Sequence, residues 1–192
     1  MTQGDVNCMS ELKSAWEIAQ ERANRLGKLS AEERAQQERQ EYRQIGQALA
    51  QKWLDSSQRL DIATGLNKHE GEQRDIIKRA AVEHLIGAVE LTTARGRNSV
   101  KKVIEGISSL EPELQPEAEE MAKLVQEYEG AEQKMRQELE SNYRETLHQL
   151  RISGTAVATI NIEANPNWQL ARQELVEAFT PRLNDLKRVL LR

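Results

Sequence analysis

Residues 116–150 read PEAEEMAKLVQEYEGAEQKMRQELESNYRETLHQL, and this stretch decides the fold. Pro116 suits the first turn of a helix, where its missing N–H costs nothing, and Glu117, Glu119 and Glu120 favour the positive end of the helix dipole. Gly130 is the only interior helix breaker before Leu150. Leu114, Met121, Tyr128 and Met135 recur every seventh residue, with Ala118, Val125 and Leu139 in the partner position of a heptad-like seam. Glu132 and Asn142 also occupy seam positions and weaken it. Tyr143, Leu147 and Leu150 continue the stripe after a one-residue drift, as a 3.6 period requires. An unbroken helix here is about 50 Å long, against about 40 Å across for a compact chain of this size. Either the helix outruns a compact core, or Gly130 breaks it and a compact bundle forms.

Outward from this segment the chain keeps its helical period. Leu12, Ala15, Trp16, Ala19, Ala23 and Leu26 step by three and four from a cap at Ser10 to a stop at Gly27. Ser30-Ala31-Glu32-Glu33 is a capping box that opens a second helix, running to about Leu54, with Ala35, Tyr42, Ile45, Leu49 and Trp53 on one face. A third helix is expected over residues 72–93, with Ile77, Ala80, His84, Ala88 and Leu91 as its stripe and Arg95-Gly96-Arg97 as its stop. Its wide apolar face predicts a central place in the core. Val100, Val103, Ile104 and Ile107 predict a short helix closed by Pro112, and Asn165-Pro166 opens a last helix that keeps its phase through Pro181. In the stretch 152–163, Ala156, Ala158, Ile160 and Ile162 alternate with Thr155, Val157, Thr159 and Asn161, the one β-like pattern in the chain. A lone strand leaves backbone groups unpaired, so this segment either lies over helices or pairs with a strand of a second chain.

The expected fold is therefore all-α: a helical bundle with one long heptad-like helix and a short extended segment near 154–163. Residues 1–9 carry no pattern, and we expect a disordered terminus there. A helical core follows over 10–110. Residues 111–192 hold the long helix, the extended segment and a kinked final helix, either as a second part or continuous with the core. The last two helices are expected to pack antiparallel.

Composition limits the function classes. The 192 residues are 38% hydrophobic, 30% charged and only 4% aromatic, too apolar for full disorder and too poor in aromatics for a β-sandwich of short strands. Apolar runs of a few residues exclude a transmembrane helix, and no signal-peptide pattern opens the chain. A single cysteine, Cys8, excludes an intrachain disulfide framework and points to the cytoplasm.

Few residue groups offer chemistry. Glu145-Thr146-Leu147-His148 has the Glu-x-x-His spacing that serves di-metal helical bundles, but neither His69 nor His84 supplies the second copy that such sites need. Glu145 and His148 are therefore weak metal candidates, and His84 reads as a hydrogen-bonded core histidine. Phosphate-binding loop, EF-hand, nucleophile elbow and zincin motifs do not occur, so no catalytic residue or cofactor is assigned and the balance leans away from an enzyme.

Arg95, Arg97, Lys101 and Lys102 fall within eight residues and form an anion-binding candidate. Net charge argues against nucleic acid: residues 111–148 hold 11 acidic and 4 basic side chains, net -7, which leaves +3 elsewhere in a chain of -4. Nor do aromatics interleave with the basic residues, as stacking on single strands requires. Met121, Tyr128 and Met135 on the long seam, with Val157 and Ile160 of the extended segment, are candidates for a partner interface, because methionines suit adaptable contacts. Packing inside the chain is the competing reading for all of them. The leading expectation is a non-enzymatic helical interaction or structural protein, most simply a homodimer. A helical-bundle metal-binding protein or enzyme, and phosphate or nucleic-acid binding through the small basic patch, are its alternatives.

Several phrases taken together carry a family resemblance. They are Ala15-Trp16-Glu17-Ile18-Ala19, Gly27-Lys28-Leu29-Ser30, Ile45-Gly46-Gln47-Ala48-Leu49-Ala50, Ile152-Ser153-Gly154-Thr155-Ala156-Val157 and Asn165-Pro166-Asn167-Trp168. As a set they resemble an uncharacterised family of bacterial, mostly helical proteins. The resemblance runs from about Glu11 to the C-terminus. It implies a helical cytoplasmic protein and supplies no catalytic residue.

Overall fold

The computed structural model describes residues 16–17, 20, 30–56, 62–152 and 161–192. Among them there are seven α-helices and two 3-10 turns, and no strand. The helices are α1 (Ala31–Asp55), α2 (Ile62–Leu66), α3 (Gly71–Gly87), α4 (Ala94–Asn98), α5 (Val100–Leu110), α6 (Gln115–Gln149) and α7 (Pro166–Leu190). None is long and apolar enough to cross a membrane. The chain divides into two compact units, Met1–Glu41 and Tyr42–Arg192.

In the first unit the capping box forms as its residues predict. Ser30 N–H donates to the Glu33 carboxylate at 2.7 Å, and Glu33 N–H donates to Ser30 Oγ at 3.0 Å. Residues 31–41 of α1 are all exposed, as is Trp16. The rest of the expected helix over 10–26, Gln20 and Glu17 apart, lies outside the described residues.

The second unit has one core, drawn from both sides of the expected boundary near Leu110. Ile77, Leu85, Ile86 and Val89 meet Val103 and Ile107 of α5, Met121, Leu124 and Tyr128 of α6, and Leu183 and Leu190 of α7. Close approach sets the positions of two glycines. A Cβ at Gly46 of α1 would strike the Ile77 carbonyl oxygen and lie 2.9 Å from Ala80 Cβ, so only glycine lets α1 rest on α3. At Gly106 a Cβ would meet Leu85 at 2.8 Å and the Trp53 indole at 3.0 Å.

The long helix is unbroken through Gly130, for 35 residues. It ends in a Schellman motif: Ile152 N–H donates to the Leu147 carbonyl and Arg151 N–H to that of His148, with Arg151 left-handed at φ 57°. The last helix is also continuous, with Pro181 inside it. It runs antiparallel to α6, because partners descend along one helix as they ascend along the other: Glu127 with Arg182, Glu132 with Arg172, and Tyr143 with Asn167.

Three local expectations need correction. Helix α3 stops at Gly87, six residues before Thr93, because Thr93 caps the next helix instead, its Oγ1 accepting from Gly96 N–H at 3.0 Å. Arg95-Gly96-Arg97 lies within α4 rather than ending a helix, and Gly96 packs so close to Glu90 that a Cβ would sit 2.7 Å from its carbonyl. Of the extended segment, residues 153–160 lie outside the described residues, while Ile162–Ala164 form a 3-10 turn with Ile162 buried.

Candidate functional site

In the stretch between α3 and α4 three backbone carbonyls accept from cations. Lys187 Nζ donates to the Val89 carbonyl at 2.6 Å, Arg97 Nη1 to that of Leu91 at 2.6 Å, and Arg172 Nη2 to that of Thr92 at 2.9 Å. Two of the three come from α7, so the last helix holds this connection in place.

Glu132 is the hub of the charges beneath it. Its Oε1 accepts from Arg172 Nε at 2.8 Å and from the Tyr128 hydroxyl at 3.4 Å, while Oε2 lies 3.7 Å from Arg97 Nη2. Arg97 is mostly buried, stands over the Tyr128 ring at 5.7 Å, and approaches Glu129 at 3.3 Å without hydrogen-bond geometry at its Nε. Tyr128 in turn meets Phe179 edge-on at 5.7 Å. Burial, then the Glu132 charge, raises the Tyr128 phenol above its ordinary pKa. For the Arg172 guanidinium burial acts downward, but the hydrogen bond and charge of Glu132 outweigh it and leave the pKa raised. Burial lowers the Lys187 ammonium, with Glu90 opposing.

Above the hub lies an open groove of about 670 Å³. Its walls are two matching helical stripes. Glu129, Glu132, Gln133 and Arg136 come from α6, and Gln169, Arg172, Gln173 and Val176 from α7. Both follow the i, i+3, i+4, i+7 spacing of one helix face. Thr92 lines it from the connection before α4 and Arg97 from α4 itself, and Glu163 and the buried Trp168 complete it. Three guanidinium groups balance three carboxylates, and the most exposed pair is Arg136 with Glu163 at 3.5 Å. Residues 63–192, which contain every wall of this groove, match the family model described as a family of unknown function, DUF6657. The chain belongs to the DUF6657 family. No curated protein and no solved structure matches it.

The four cations of the anion-binding candidate do not share one cavity in this DUF6657 member. Arg97 lines the groove. Arg95 and Lys102 line a second cleft of about 1020 Å³, beside Gln51, His84, Glu90 and Ser99. Arg95 there pairs with Asp55 at 2.9 Å, and Lys102 Nζ donates at 2.6 Å to the carbonyls of both Leu54 and Ser56, capping the end of α1. Lys101 is exposed. His84 is hydrogen-bonded as expected, with Nε2 at 3.0 Å from Gln51 Oε1, but it is half-buried and lines this cleft rather than the core.

Glu145 and His148 are both exposed, and Glu145 Oε1 accepts from Gln149. Among the described residues no three His, Cys, Asp or Glu side chains gather as metal ligands. Of the interface candidates, Met121 and Tyr128 are fully buried within their own chain, where no partner reaches them, and Met135 is half-buried. Val157 and Ile160 lie outside the described residues. Gln133, Arg136, Glu163, Gln169, Arg172 and Gln173 carry no signal one at a time. Their trace is the shared spacing of polar residues on two helices, which becomes readable once those helices are known to be neighbours.

Proposed function

We propose that this DUF6657 member is a non-enzymatic helical interaction protein that pairs with a second copy of itself through the distal half of α6. One feature supports the reading. After Tyr128 no residue of α6 is buried, yet the helix continues for 21 residues, about 30 Å. Along that length Ala131, Met135, Leu139, Tyr143 and Leu147 recur every fourth residue and remain half-buried. The stripe ends at Leu150 and Ile152, which are 64% and 49% exposed.

Half-buried, these side chains keep part of their apolar surface uncovered by the described residues. Apolar surface of that kind is stabilised when covered, and two antiparallel hairpins packed about a two-fold axis make a four-helix bundle that covers both stripes at once. The test is the solution mass of the purified chain by light scattering. A mass of twice 21.9 kDa supports the pairing, and a mass of 21.9 kDa at all concentrations removes it.

A further inference from the structure

We propose that the groove between α6 and α7 binds a short extended peptide with free termini, about three residues long. The inference does not rest on self-pairing, because the groove is lined by Glu129, Glu132, Gln133 and Arg136, whereas the pairing stripe is Ala131, Met135, Leu139, Tyr143 and Leu147.

Its volume, about 670 Å³, falls in the range of small-ligand sites. The charges choose the ligand class. With three guanidinium groups against three carboxylates the walls carry no net charge, so neither an anion nor a cation is favoured. A molecule with one charge at each end is. Among the described residues Arg136, half exposed, pairs with Glu163 at 3.5 Å, and Glu163 is itself 71% exposed, so an incoming carboxylate competes with it on good terms by making a two-pronged contact. At the other end the half-exposed Glu129 lacks a hydrogen bond to Arg97 and keeps acceptor capacity for an ammonium group.

Spacing sets the length. Glu129 and Arg136 are seven residues apart on one helix face, about 10 Å along the axis. An extended chain spans at most about 3.3–3.6 Å per residue, so three residues bridge the two ends. Between them Gln133, Gln169 and Gln173 offer amide donors and acceptors that match the N–H and C=O groups of a peptide backbone. Trp168 and Val176 supply apolar wall for a side chain.

The experiment is calorimetric titration of the full chain with trialanine, N-acetyl-trialanine and trialanine amide. The expected result is that trialanine binds and that blocking either end weakens binding by about tenfold or more. Arg136→Gln should abolish the preference for a free carboxylate and keep that for a free amine, and Glu129→Gln should do the reverse. Both side chains are half exposed, so the variants should fold; Arg136→Lys, which keeps the charge and loses the fork, is the check if Arg136→Gln does not. No heat at millimolar trialanine, or equal binding of the blocked peptides, overturns the proposal.

Discussion

Arg172 of α7 donates from Nε to Glu132 of α6 at 2.8 Å, and through Nη2 it holds the Thr92 carbonyl at 2.9 Å. One side chain thus ties the two long helices to the connection between α3 and α4. Glu132 serves Arg97 and Tyr128 as well, which makes it the shared acceptor of the cluster. Replacing it by Leu leaves two guanidinium groups facing each other without their common carboxylate. Glu132→Leu should cost about 2–3 kcal/mol in denaturant unfolding, and Arg172→Met clearly less, because Glu132 then keeps Arg97.

Gly46 and Gly130 should respond in opposite directions. At Gly46 a Cβ collides with the Ile77 backbone, which cannot move as a flexible side chain would, so Gly46→Ala should lower stability by about 1–3 kcal/mol. Nothing lies within 4 Å of a Cβ at Gly130. Gly130→Ala should therefore raise stability by about 0.5–1 kcal/mol through helix propensity alone. Urea unfolding of the two variants checks both signs.

Arg151 adopts a left-handed conformation that L side chains resist by about 1 kcal/mol, at the position where a Schellman motif favours glycine. Arg151→Gly should stabilise the end of α6 by a similar amount. Slower amide exchange over residues 145–149 would register it, and unchanged exchange would count against the motif.

Stability should also depend on pH through Lys187, whose ammonium is lowered below 10.5 by burial. Between its folded pKa and 10.5 the unfolded chain holds more protons than the folded one, so this residue's contribution becomes more favourable as pH rises through that window. Relative to Lys187→Met, the wild-type chain should gain stability as pH rises towards 10.5. A difference that stays flat across that range would contradict the half-buried ammonium.

Much of the fold was legible because helix signals are local. Ser30 and Glu33 form their box, Pro116 stands in the first turn of α6, and Asn165 caps α7 with its side chain accepting from Asn167 N–H. Boundaries failed where tertiary bonds compete with helix bonds. Thr93 reads as the end of an apolar stripe, but its hydroxyl caps α4 and its neighbours' carbonyls are taken by cations from α7 and α4.

The site was less legible, and Glu132 shows why. In the sequence it is a charged flaw in a heptad seam. In the fold it is the group on which Arg97, Arg172 and Tyr128 converge, from 35 residues before it to 40 after. Periodicity shows that a seam is interrupted and carries no information on what arrives from another helix to fill the gap. Met121 and Tyr128, read as partner contacts, were equally good core residues by pattern, and only the arrival of α5 and α7 decides between the two.

The most direct test of self-pairing compares the solution mass of the wild-type chain with that of Leu139→Glu, a half-buried position in the middle of the distal stripe. The wild-type chain should have twice the 21.9 kDa chain mass, and the variant should be a folded monomer with unchanged helix content. Equal masses for the two folded proteins, whether monomer or dimer, would contradict pairing through the distal half of α6.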